Sequence, residues 1–272
     1  MNPIDSLFQK LRQERRKAFI PFVTASEPDA AGTVQLVEEL ARRGASLVEI
    51  GFPYSDPIAD GPVIQASYTR VLDRGFKLDE VFTIARQAAD KLNRATPLAG
   101  MVSYSIVHRR GPERFLAEAK QSGFSGLIVP DLPAEEAAGL AKLTAANDLK
   151  LIQLVTPTTP RDRAIQIAKL STGFLYCVSI TGITGERDRL PEELRDQLAW
   201  LREKTDLPLC VGFGVSRPEH VRMLREFADG VIVGSAIVRR VEQAGARPFA
   251  DVVRDVGDLA QSLIEALEPH SV

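Results

Sequence analysis

The chain is expected to fold as an α/β protein, a (β/α)8 TIM barrel with an extra N-terminal helix. Three observations predict this. Eight short β-branched runs, ending in polar residues or glycine, alternate with segments whose apolar residues recur at three- and four-residue spacing, the pattern of strands joined by amphipathic helices. The connections are short single steps between successive strands, which allows a closed barrel or a doubly wound sheet; eight units with no reversal of order favour the barrel. No Ser/Gly-rich linker, low-complexity tract or sequence repeat interrupts the 272 residues, so one barrel domain over 1–272 is expected.

Taken in order, residues 3–16 carry Ile4, Leu7, Phe8 and Leu11 at helical spacing and read as a helix before the first strand. The strands are expected at 18–25, 46–52, 96–104, 126–130, 149–155, 173–179, 207–213 and 230–234. The helices between and after them are expected at 29–43, 62–93 with a break at Gly75, 111–122, 134–147, 161–170, 192–204, 218–227 and 249–267. In such barrels catalytic groups sit at the C-terminal ends of strands and in the loops that follow.

Composition excludes several classes of function. With 34 Lys+Arg against 36 Asp+Glu, the chain has no net field to attract a polyanion, which disfavours nucleic-acid binding. The N-terminus lacks a basic stretch followed by an apolar core, and no run reaches the ~18 apolar residues that span a bilayer; a cytoplasmic protein is expected. Cys177 and Cys210 each fall inside an expected strand and read as buried reduced thiols, not a disulfide or zinc site. His108, His220 and His270 lie in polar or terminal stretches away from the motifs below, which weakens a Ser-His pair or a His-ligated metal. No metal is expected.

The second strand, Ser46-Leu47-Val48-Glu49-Ile50-Gly51-Phe52, holds one carboxylate among hydrocarbons. Leu47, Glu49 and Gly51 share a face. If that face points into the barrel, desolvation raises the pKa of Glu49 and equips it to give and take protons near neutrality. The alternative is a strand-end glutamate paired with an arginine or with solvent. The next loop, residues 53–62, has three prolines and the acids Asp56 and Asp60; proline stiffens it, so Asp60 or Asp56 is the second catalytic candidate. The alternative there is that Asp60-Gly61-Pro62 only starts the next helix.

Glycine-bearing segments follow the sixth, seventh and eighth strands, at 182–185, 212–215 and 233–236. Glycine admits close approach of the backbone to an anion, and Ser235 is expected to open a short helix with free N–H groups. Their joint position, where barrels commonly bind phosphate, predicts a phosphorylated ligand. The polar stretch 186–191 reads as a lid or an ordinary solvated loop. No lysine lies at the C-terminal end of an expected strand, Lys150 being at the opposite end, which disfavours Schiff-base chemistry. A regulator that binds the ligand without chemistry is disfavoured by the cost of burying Glu49.

Several of these stretches together resemble the tryptophan synthase alpha chain family over nearly the whole length. They are Phe19-Ile20-Pro21-Phe22-Val23-Thr24-Ala25, Val48-Glu49-Ile50-Gly51-Phe52-Pro53-Tyr54-Ser55-Asp56-Pro57, Ala59-Asp60-Gly61-Pro62, Gly126-Leu127-Ile128-Val129-Pro130-Asp131-Leu132-Pro133, Thr156-Pro157-Thr158-Thr159-Pro160 and Gly212-Phe213-Gly214-Val215. The resemblance implies a cofactor-free lyase that cleaves indole-3-glycerol phosphate to indole and glyceraldehyde 3-phosphate. It implies Glu49 as general acid/base and Asp60 as acceptor of the indole N–H. It places the substrate pocket on Phe22, Ile64, Leu127, Leu154, Tyr176, Thr184 and Phe213, and the phosphate cradle on Gly185, Gly214, Gly234 and Ser235. It also implies docking of the Asp56 loop and the lid on a pyridoxal-phosphate-dependent beta chain in an alpha2-beta2 complex. One departure is Ser103-Tyr104-Ser105, where many members carry Tyr-Tyr-Asn or Tyr-Ala-Asn; a milder one is Tyr54 in place of phenylalanine.

Overall fold

The computed structural model describes residues 1–57, 60–179, 191–212 and 214–268. Helix α1 (Pro3–Gln13) leads into β1 (Ala18–Thr24), α2 (Ala30–Arg42) and β2 (Val48–Gly51). Two helices, α3 (Pro62–Leu72) and α4 (Asp79–Lys91), separate β2 from β3 (Leu98–Met101), and two more, α5 (Tyr104–Arg110) and α6 (Pro112–Gln121), separate β3 from β4 (Phe124–Ile128). Then come α7 (Ala137–Ala146), β5 (Lys150–Ile152), β6 (Leu154–Val155), α8 (Arg161–Leu170), β7 (Leu175–Val178) and α9 (Glu192–Arg202). The chain continues with β8 (Leu209–Gly212), α10 (Pro218–Leu224), β9 (Gly230–Val233), α11 (Ser235–Val241) and α12 (Phe249–Leu267).

Every strand pairing is parallel, in the order β5-β4-β3-β2-β1-β9-β8-β7-β6. The two ends of that order, β5 and β6, are separated only by Gln153. They are one stave of the barrel, interrupted, so the sheet closes and the nine segments make the eight expected strands.

Parallel strands buried on both faces need apolar residues on both, and the two faces form two cores. Ile20, Phe22, Leu47, Met101, Ile152 and Ile232 fill the lumen. Phe19, Val48, Ile50, Leu151 and Val211 face outward onto the helices, among them Leu36 and Leu40 of α2 and Val256 and Leu263 of α12. Each such side chain contributes roughly 1.5–3 kcal/mol through its removal from water. Cys177 lies in the outer core and Cys210 in the inner one; both are buried free thiols.

Helix α1 closes the N-terminal end of the barrel. The Asn2 side chain caps it by accepting from Ile4 N–H at 2.9 Å and donates to the carbonyls of Ser125 and Asp148 at 2.9 and 2.8 Å. Ile4, Phe8 and Leu11 join the lumen core, with the Phe8 ring 5.7 Å from that of Phe174. Lys150, at the start of β5, pairs with Asp5 at 2.5 Å.

Most elements are a few residues shorter than expected, and two differences bear on the site. The strand expected at 96–104 ends at Met101, because Ser103 is the N-cap of α5: its Oγ accepts from Ser105 N–H at 3.2 Å and donates to Asp131 at 2.6 Å, while Asp131 also accepts Tyr104 N–H at 2.8 Å. The departure from the family pattern at Ser103-Tyr104-Ser105 is thus a helix cap. Strand β4 starts earlier than expected, and its pairing with β3 passes from Leu98↔Phe124 to Ala99↔Gly126, leaving Ser125 as an extra residue that shifts the phase of the strand. The break expected at Gly75 is present, at φ 78°. Among the described residues no helix is long and apolar enough to cross a membrane.

Candidate active site

Glu49 is the one polar side chain of β2, in register with Phe22 of β1 and Ala99 of β3. Its face is the inner one, shared with Leu47. It is 0% exposed, and neither carboxyl oxygen has a hydrogen-bond partner among the described residues. Glu49 is thus neither a solvent-facing strand-end glutamate nor paired with an arginine among the described residues. Burial, with a smaller contribution from the charge of Asp60, pushes its pKa up to about 8, so the acid form persists at neutral pH.

Asp60 follows β2 in the loop that leads to α3. The loop is held by Asp60 N–H donating to Pro57 O at 3.0 Å, and by Gln65 Nε2 donating to the carbonyls of Asp60 and Pro57 at 2.8 and 3.2 Å. The N-cap of α3 is Gly61, with Pro62 in its first turn, so the Asp60 carboxyl is not spent on capping. It is 7% exposed, its Oδ2 has no hydrogen-bond partner among the described residues, and burial raises its pKa to about 7. Asp56 is exposed and accepts from Ser55 Oγ at 2.9 Å; of the two aspartates, Asp60 is the one that enters the barrel mouth.

Both carboxyls line one cavity of about 320 Å3, together with Phe22, Ile64, Tyr176, Gly214, Gly234 and Ser235. Its apolar walls suit a flat aromatic group and its acids a proton transfer. On the side of β8 and β9, Gly214 adopts φ 81°, a conformation glycine adopts without strain. Helix α11 starts at Ser235, and its first intrahelical bonds run from Ile237 and Val238 N–H to Gly234 O. The N–H groups of Ser235 and Ala236 have no acceptor within the helix, which suits them to an anion.

Two expected pocket residues are placed elsewhere. Leu127 belongs to the outer core, against Phe52 and Phe124, and the inward position is that of Ile128. The extra residue at Ser125 sets that phase. Leu154 packs against the lumen core but lines a neighbouring recess with Gln153 and Thr156. Thr184, Gly185 and Phe213, the 182–185 segment and all of the expected lid at 186–191 except Pro191 lie outside the described residues, as does His270.

The cavity also holds residues the sequence reading passed over: Met101, Ser179, Ser216, Ile232 and Arg239. His220 is a further correction. Far from being remote from the motifs, it is buried behind the Gly214–Ser216 turn, where its Nδ1 accepts Ser216 N–H at 3.3 Å. Burial lowers its pKa, favouring the neutral ring that such an acceptor requires. Its place in the first turn of α10, right after a lining loop, was the signal available in the sequence.

Fold and site define a (β/α)8-barrel enzyme of acid–base type, with two buried acids facing a glycine-lined recess. A model of the tryptophan synthase alpha chain family matches residues 8–266, and the chain belongs to that family. It is 50% identical to the tryptophan synthase alpha chain of Rhodopirellula baltica, covering 98% of this chain and 99% of that one. It is 46% identical to that of Synechocystis sp., covering 89% and 92%. Among solved structures, tryptophan synthase subunit alpha from Legionella pneumophila superposes with a TM-score of 0.89 at 36% identity, covering 98% of each chain. The chain is accordingly an enzyme, a carbon–carbon lyase of tryptophan biosynthesis that cleaves indole-3-glycerol phosphate, in a family that works with a beta chain.

Proposed function

We propose that Glu49 and Asp60 carry the cleavage of indole-3-glycerol phosphate to indole and glyceraldehyde 3-phosphate. The supporting observation is the cavity itself: two buried acids with unpartnered oxygens on the β2 side, and Gly214, Gly234 and Ser235 on the side of β8 and β9. Glu49, held as the acid, donates its proton to the indole ring carbon that bears the glycerol chain. Asp60 accepts the indole N–H as positive charge develops on the ring. Glu49, now ionised, takes the proton of the adjacent hydroxyl. The oxygen–hydrogen electrons form the aldehyde, the carbon–carbon bond breaks, and its electrons restore the neutral aromatic ring. The proton Glu49 gave is thereby replaced, and no water or co-reactant is consumed.

Phe22, Ile64 and Tyr176 form the wall for the indole. Gly214, Gly234 and Ser235 receive the phosphate, with Gly185 completing the cradle and Thr184 and Phe213 the pocket. The chain acts as one barrel domain in the cytoplasm, in an alpha2-beta2 complex whose beta chain carries the pyridoxal phosphate. The cavity of this chain does not suit that cofactor, because no lysine is among the described residues that line it. A groove of about 790 Å3 between the loop bearing Tyr54 and Asp56 and helix α5 supports docking of the beta chain there.

The test is indole formation from indole-3-glycerol phosphate by the purified chain, with and without a beta chain. Turnover that the beta chain accelerates supports the reading. Absence of indole under both conditions overturns it.

A further inference from the structure

Arg239 stands one helical turn beyond Ser235 on the same face of α11. Side chains on a helix lean toward its N-terminus, so this position carries the guanidinium back toward Gly234 and Ser235. Arg239 lines the same cavity as those residues and Gly214, and is the one cation among the described residues that do so. Its neighbour Arg240 is engaged, donating to Ala236 O at 2.8 Å. Arg239 forms no hydrogen bond or ion pair with any described residue, and its side chain is exposed at the mouth.

The remaining groups of the recess on this side are backbone amides and the Ser235 and Ser216 hydroxyls, all neutral. A phosphate monoester carries about −1.5 to −2 charge at neutral pH. Neutral donors orient such an anion but leave its charge uncompensated, and a guanidinium matches phosphate oxygens with paired donors. Meanwhile Glu49 and Asp60 stand on the β2 side of the same cavity. Positive charge on one side and acids on the other fix which way round a phosphorylated substrate lies.

We propose that Arg239 is a binding residue for the phosphate group of the substrate, and that it sets both affinity and orientation for phosphorylated over unphosphorylated ligands. This rests on the reading of the cavity above. Because Arg239 is exposed and takes no part in the core, its replacement leaves the fold intact, which thermal melting checks.

The experiment compares the wild-type chain with Arg239→Gln, Arg239→Lys and Arg239→Glu. Two readouts are taken: steady-state cleavage of indole-3-glycerol phosphate, and calorimetric binding of glycerol 3-phosphate. The Gln variant is expected to raise KM and the dissociation constant for glycerol 3-phosphate about tenfold, the size of one charge-assisted contact, with kcat within about twofold. Lys is expected to recover most of the loss and Glu to exceed it. The salt dependence of KM is expected to flatten in the Gln variant, since the screened charge is gone. Equal KM, binding and salt dependence in the wild type and the Gln variant overturn the role of Arg239 while leaving the cavity reading in place. A wild-type chain that binds no glycerol 3-phosphate overturns the cavity reading itself.

Discussion

The hydroxyl of Tyr176 occupies the space that a side chain on Gly212 would fill: a Cβ built at Gly212 falls on the Tyr176 ring and hydroxyl. The two residues face each other across adjacent strands β7 and β8, where Tyr176 pairs with Cys210 and Val178 with Gly212. Glycine at 212 is thus what lets this ring stand in the lumen and form the cavity wall. Gly212→Ala is expected to destabilise by about 1–3 kcal/mol through overpacking, and to lower kcat/KM by displacing Tyr176. Denaturant unfolding and cleavage kinetics check both; a variant unchanged in each would refute the relationship.

Glu49→Gln keeps the shape of the side chain and removes its proton chemistry. Turnover is expected to fall by at least about 10²-fold, the scale of general acid/base catalysis, while glycerol 3-phosphate binds as before. Retained turnover would rule Glu49 out.

The raised carboxyls also make stability depend on pH. Glu49 rises from an ordinary value of 4.5 to about 8 on folding. At pH below the lower value both folded and unfolded states hold the proton, and the contribution is fully present. As pH rises toward about 8 only the unfolded state releases it, so stability declines across that window and then levels. The melting temperature of Glu49→Gln is therefore expected to gain on that of the wild type between pH 5 and pH 8. A constant difference would contradict a raised carboxyl.

Activity has a matching signature. With Glu49 needed as acid near 8 and Asp60 as carboxylate near 7, kcat/KM is expected to be a narrow bell whose limbs belong to the coupled pair. The charge of Asp60 contributes to raising Glu49, so Asp60→Asn is expected to move the alkaline limb to lower pH. An unmoved limb would show that the two acids do not interact.

Ser235→Asp places a negative charge at the start of α11, where the phosphate is to sit. KM is expected to rise far more than stability falls, since Ser235 is only half-buried and outside the core. Steady-state kinetics alongside melting decides; an equal KM would move the phosphate elsewhere.

Much of this was legible because the physics is local. A lone carboxylate in the run Leu47–Phe52 can only be costly or functional, and the two-residue period put it on one face with Gly51. Residue types alone did not separate Asp60 from Asp56, because their difference is a matter of where a three-proline loop turns. Leu127 entered the pocket through the family resemblance alone, and the extra residue at Ser125 gives the inward place to Ile128. Helix α5 was missed because Ser103-Tyr104-Ser105 continues an apolar run, although a serine there is also a cap signal. Arg239 reads in sequence as half of a basic pair on a solvated surface; only the fold shows that one member lines the cavity while the other bonds back to its own helix.

Helix α1 stoppers the cylinder at its base, with Asn2 tied to two carbonyls and Ile4 seated beneath the lumen core. The described residues that line the cavity of Glu49 and Asp60 stand at the other end, where β2 and β9 finish, so the base serves to hold the staves together and leaves the chemistry to the mouth.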